Sequence, residues 1–77
     1  MRRRKLRTRM AVIGALTTAP EPLWGLDLSR RSGVLAGGLY TTLDELEREG
    51  LVYSEWIDHA ETPGGRRRVY SWAGGER

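Results

Sequence analysis

"LAGGLYTTLDELEREGLV", residues 35–52, decides the fold of this chain. Leu35, Leu39, Leu43 and Leu46 recur at intervals of four, four and three, which is one face of an α-helix. Gly50 follows as the expected C-cap, and Leu51 and Val52 open a run with strand character. The first half of this helix is almost uncharged and contains Gly37 and Gly38, whereas the second half is crowded with Asp44, Glu45, Glu47 and Glu49. With the four leucines inward, the opposite face shows Gly37, Gly38, Thr41, Thr42 and Glu45, with Arg48 further along.

Immediately upstream, "LWGLDLSRR" (residues 23–31) reads as a second, shorter helix with Trp24 and Leu28 one turn apart. Arg30 and Arg31 fall in its last turn, where cations suit the helix dipole, and Gly33 is the expected stop. Two helices joined by a tight glycine turn form a helix-turn-helix. Before them, Leu6, Met10, Ile13 and Leu16 predict a helix over about residues 4–18, broken by "TTAPEP". After them, "LVYSEWI" (51–57) and "RRVYSW" (67–72) are rich in β-branched and aromatic residues and flank "DHAETPGG", which has turn chemistry. Three helices followed by a β-hairpin make an α+β winged helix-turn-helix. The expectation is a single domain over residues 1–77 with a basic N-terminal arm at about 1–5.

Composition narrows the class. A 77-residue chain buries only ~60% of the surface it exposes when unfolded, so the core is thin. There is no cysteine and one histidine, His59, so neither a disulfide nor a zinc site of Cys/His type is expected, and no cofactor is implied. No apolar run reaches the ~18 residues that span a bilayer, and the expected location is cytoplasmic. Net charge is +3, and nine of the thirteen basic residues lie in two clusters, Arg2 to Arg9 and Arg66 to Arg68. Clustered cations gain from counterion release on a polyanion, which makes nucleic acid the first partner to consider, while such charge runs also serve simply to keep small proteins soluble.

In a helix-turn-helix the N-terminal part of the second helix meets base edges. That places Gly37, Gly38, Thr41 and Thr42 toward a groove and leaves Asp44, Glu47 and Glu49 mostly away from it. Tyr40 either packs under the wing or sends its hydroxyl to a phosphate. Glu45 is expected in solvent or in a salt bridge. Arg66, Arg67 and Arg68 directly follow the wing turn, where side chains reach the backbone or a minor groove; strand alternation puts Arg66 and Arg68 on one face and Arg67 on the other. Arg3 and Arg4 follow phosphates if the N-terminus forms an arm or the exposed first turns of helix 1. Trp24, Trp56 and Trp72 are assigned to the core or its edge. His59 sits beside Asp58 and Glu61 with no nucleophile or phosphate loop, so no enzyme is expected.

The segment "LWGLDLSRRSGVLAGGLYTTLDELEREGLVYSEW" resembles the PadR-like transcriptional regulators. The likeness rests on residues 24–28, on residues 38–43 with one residue fewer before the leucine, and on residues 46–52. "TPGGRRRVY" matches the basic wing of that family, and the resemblance covers about residues 10–72. It implies sequence-specific binding of double-stranded DNA and transcriptional regulation, with helix 3 in the major groove and the wing on the backbone or minor groove. A winged-helix protein-protein adaptor and an excisionase-type architectural factor are the alternatives. Family members pair through helices beyond the wing, whereas Trp72 is followed here by "AGGER", so the expectation is at most a weak homodimer.

Overall fold

The computed structural model describes residues 2–58 and 66–74, with the backbone alone at residues 2–4. The elements run α1 (Arg2–Thr18), β1 (Leu23–Trp24), α2 (Gly25–Ser32), α3 (Ala36–Arg48), β2 (Val52–Asp58) and β3 (Arg66–Trp72). The three helices and the hairpin are as the sequence predicts, and no helix of the described residues is long and apolar enough to cross a membrane.

The sheet has one more strand than predicted. Leu23 and Trp24 are extended and pair antiparallel with Tyr70 and Val69, giving the order β1-β3-β2 with β3 in the centre. Leu23 is buried at the sheet face, which favours the extended pairing over an earlier helix start; a strand of two residues has no period to read.

α2 and α3 are joined by residues 33–35. Gly33 adopts φ +76° and donates its N–H to the Ser29 carbonyl, a left-handed stop that a side chain would strain. The turn is further tied by the Ser29 hydroxyl donating to the Val34 carbonyl at 2.8 Å and by the Val34 N–H donating to Ser32 Oγ at 3.2 Å. At the other end of α3, Gly50 adopts φ +80°. Its N–H donates to the Glu47 carbonyl and that of Leu51 to the Leu46 carbonyl, a Schellman ending that turns the chain directly into β2.

The core gathers Val12, Ala15 and Leu16 of α1, Leu28 of α2, Leu39, Leu43 and Leu46 of α3, and Leu23, Val52 and Tyr70 of the sheet. Three side chains depart from the predicted stripes. Leu6 and Met10 are 56% and 63% exposed, because the face of α1 turned toward α3 is that of Lys5, Thr8, Arg9 and Val12, more than a quarter turn away at ~100° per residue. Leu35 is 82% exposed because it is the N-cap of α3, extended at ψ 158°, and so lies off the helical face.

Candidate nucleic-acid interface

Burying Leu39, Leu43 and Leu46 fixes the rotation of α3. Gly37, Gly38, Tyr40 and Thr41 then lie exposed along its first half. Thr42 does not: it is buried, which corrects its placement on the outer face. Its position three residues after Leu39 and four before Leu46 puts it on the flank of the leucine stripe, about 40–60° from either. Thr41 donates its hydroxyl hydrogen to the Gly37 carbonyl at 3.1 Å, which leaves its oxygen lone pairs and its methyl group outward.

Tyr40 is half exposed and reaches across to the start of α2. A Cβ at Gly25 would overlap the Tyr40 hydroxyl and lie 2.9 Å from its Cζ, so Gly25 is the only residue size that leaves the ring where it is. Beyond Tyr40 stands the wing. The β2–β3 register sets Trp56 opposite Arg68, Ile57 opposite Arg67 and Asp58 opposite Arg66. Arg66 and Arg68 consequently share a face with Trp56, their guanidinium carbons 5.4 and 5.6 Å from its ring centre. Arg67 is on the other face, 3.6 Å from the ring centre of Trp24. The predicted alternation of the three arginines is therefore present.

Trp56 corrects a prediction. It is 56% exposed, because β2 runs outward from a buried Val52 and its far half leaves the helices behind; among the described residues, Arg66 and Arg68 of β3 lie against its ring. Trp24 is half buried under Arg67, and Trp72 packs against the edge of the core. Between Tyr40 and Gly25 on one side and Trp56, Arg66 and Arg68 on the other lies a cleft of about 470 Å³, floored by Tyr70. Burial pushes the Tyr70 hydroxyl above its ordinary value of 10.0, partly opposed by Arg68.

Every carboxylate of the acidic end of α3 has a cation. Asp44 pairs with Arg48 one turn on at 2.7 Å, and Glu45 with Lys5 of α1 at 3.2 Å, the salt bridge expected for it. Arg9 forks onto Glu49, with Nη1 to Oε2 at 3.0 Å and Nη2 to Oε1. The hydrogen bonds from Arg9 hold the Glu49 carboxyl below its ordinary range, and the same contact raises Arg9. Glu47 faces the wing: the Ser54 hydroxyl donates to its Oε2 at 2.8 Å and Arg68 Nη2 reaches its Oε1 at 3.4 Å. Arg68 also donates to Ser54 Oγ from Nε at 3.2 Å and from Nη2 at 2.9 Å. These cross-element pairs carry no signal in the sequence, since the partners lie up to forty positions apart.

The backbone of Arg3 and Arg4 belongs to the first turn of α1, so α1 starts at Arg2 where a basic arm was expected over about residues 1–5. Their side chains lie outside the described residues, as do His59 and the Pro63-Gly64-Gly65 turn.

No protein-family model and no curated protein matches the sequence. Solved structures do match the fold. A PadR-like transcription factor from Bacteroides fragilis superposes with a TM-score of 0.68 at 22% identity, over 95% of this chain and 74% of that one. A PadR family transcription regulator from Clostridium difficile R20291 gives a TM-score of 0.66 at 22% identity, over 86% and 71%. The chain has the PadR-like winged-helix fold. In this winged helix, α3 occupies the position of the second helix of the helix-turn-helix and β2–β3 is the wing, and Tyr40 of α3 lines one cleft with the wing arginines.

Proposed function

We propose that the chain is a sequence-specific double-stranded DNA-binding protein that regulates transcription, working in the cytoplasm. α3 lies in the major groove with Gly37, Gly38 and Thr41 at base edges, and the wing lies along the flanking backbone or minor groove. One observation carries this reading: Tyr40, from the exposed, uncharged start of α3, lines one cleft with the arginine face of the wing, so a single duplex can meet both elements. Glycines let a base edge approach the helix backbone, and the outward oxygen and methyl of Thr41 suit a base amino group or a thymine methyl. Tyr40 and Arg66 stand at the cleft rim, where phosphates would run. Arg67 and Arg68 also line it, and Arg3 and Arg4 would add cations at the start of α1. The acidic half of α3 is compatible with DNA because its carboxylates are paired within the protein.

Selection of bound sequences from random duplexes, followed by variant binding, tests this. Thr41→Ala should relax preference at one or two base positions, a direct contact being worth ~1–3 kcal/mol, with little loss on random duplex. Arg66→Ala should weaken selected and random duplexes alike. Selection that returns no preferred sequence would overturn the sequence-specific reading.

A further inference from the structure

Arg68 differs from its neighbour Arg66 although both lie on the Trp56 face of the wing. Arg66 stacks on the Trp56 ring, whereas Arg68 is turned back toward α3 and held by Ser54 and Glu47. The geometry points to Glu47 as a specificity-determining residue that withholds Arg68 from phosphate in the free protein and in non-specific complexes. This rests on the DNA-binding reading above and deepens it.

Three features carry the inference. Glu47 lies beside the cleft, in a neighbouring pocket that it lines with Tyr40, Arg68 and Tyr70, and its two oxygens are aimed at the wing: Oε2 accepts from Ser54 at 2.8 Å and Oε1 from Arg68 at 3.4 Å. The Glu47–Arg68 contact is long, and the two side chains are 36% and 42% exposed, so solvent screens it and a phosphate can replace the carboxylate. Ser54 donates to Glu47 while accepting from Arg68, so its hydroxyl links the pair and holds the guanidinium in place until a stronger anion arrives. The other carboxylates of the helix play no such part. Glu45 and Glu49 take their cations from α1, and Asp44 from its own helix.

Glu47 is thus a positioning residue acting through Arg68. A random duplex meets one wing cation fewer than the sequence displays. A duplex seated fully on α3 brings phosphate to the cleft and draws Arg68 across.

The test compares wild type, Glu47→Gln, Glu47→Gln with Arg68→Ala, and Glu55→Gln, a carboxylate of β2 on the opposite face of the hairpin. Two probes are used: elution from a heparin matrix, and affinity for a random duplex over a salt series. Thermal midpoints confirm that each variant is folded. Releasing Arg68 adds one phosphate contact, so Glu47→Gln should bind random duplex about eightfold tighter at 0.1 M salt and steepen the log-log salt slope by ~0.9. It should also elute from heparin at higher salt. Glu55→Gln should change affinity less than about twofold, and adding Arg68→Ala should return the affinity and slope to wild-type values. The inference is overturned if Glu47→Gln elutes from heparin no later than Glu55→Gln, if duplex is bound and Glu47→Gln gains no more on it than Glu55→Gln, or if the gain survives the loss of Arg68. Heparin keeps the two readings apart: a chain that shows the heparin shift without binding duplex loses the DNA reading and keeps the Glu47–Arg68 hold.

Discussion

Replacing Gly25 by alanine should disturb Tyr40 and very little else. The new Cβ would overlap the Tyr40 hydroxyl and lie 2.9 Å from Cζ, against ordinary carbon contacts of about 3.5–4.0 Å, so the ring must retreat by about an ångström. It has room to do so, being half exposed at the end of a side chain with two torsions. Giving up part of that ring's contact area costs up to ~1 kcal/mol, and alanine in place of glycine at the start of a helix returns a similar amount. Net stability should therefore shift by less than ~1 kcal/mol, within roughly 4–8 °C of midpoint for a domain of this size. Affinity for a selected duplex should fall further, because one hydrogen bond from the Tyr40 hydroxyl is worth ~1 kcal/mol and is lost when the ring moves. That is a loss of about fivefold. Thermal denaturation and fluorescence anisotropy on the same samples separate the two effects. Tyr40→Phe should cost about the same in affinity, and adding Gly25→Ala to it should cost little more. Unchanged affinity in Gly25→Ala at unchanged stability would refute a role for the placement of Tyr40, and a loss of several kcal/mol in stability would refute the mobility of its ring.

Leu46→Ala empties a fully buried site on α3 and should destabilise the domain by ~2–5 kcal/mol in urea titration, whereas Leu6→Ala and Met10→Ala, both at exposed positions, should each stay within ~0.5 kcal/mol. The Glu49 carboxyl is held low by Arg9, so its contribution to stability is present above its ordinary value of 4.5 and is lost as pH falls through the lower folded value; Arg9→Ala should remove that part of the acid dependence of the thermal midpoint. The Tyr70 hydroxyl is raised by burial, so the opposite sign applies: its contribution is complete below pH 10.0 and is lost as pH rises through the higher folded value, and Tyr70→Phe should flatten the alkaline fall.

The helix-turn-helix was legible because Leu39, Leu43 and Leu46 mark one face unambiguously and because Gly33 and Gly50 stand where left-handed stops are needed. The wing arginines were legible for a similar reason, since a strand has a period of two and alternation needs no tertiary knowledge. The rotation of α1 is not legible in the sequence. The side this helix turns toward α3 is built from Val12 and Ala15 at one end and from Lys5 and Arg9 at the other, charged residues that pair at the surface with Glu45 and Glu49, so the apolar period points about a quarter turn off. Thr42 is buried because the flank of a leucine stripe is also inside, and Trp56 is exposed because a wing leaves the core it starts from. β1 is too short to show a pattern at all. The Glu47–Ser54–Arg68 link depends on how α3 and the hairpin meet, and no local feature encodes that.

The central claim is that one surface, formed by α3 and the wing, reads duplex DNA. Its most direct measurement is the affinity of the wild-type chain for a selected duplex and for a scrambled one of equal length across a salt series. Log affinity should fall linearly with log salt for both, with an advantage of at least ~10³ for the selected duplex at physiological salt. Equal affinities for the two duplexes, or affinity that does not change with salt, would contradict it.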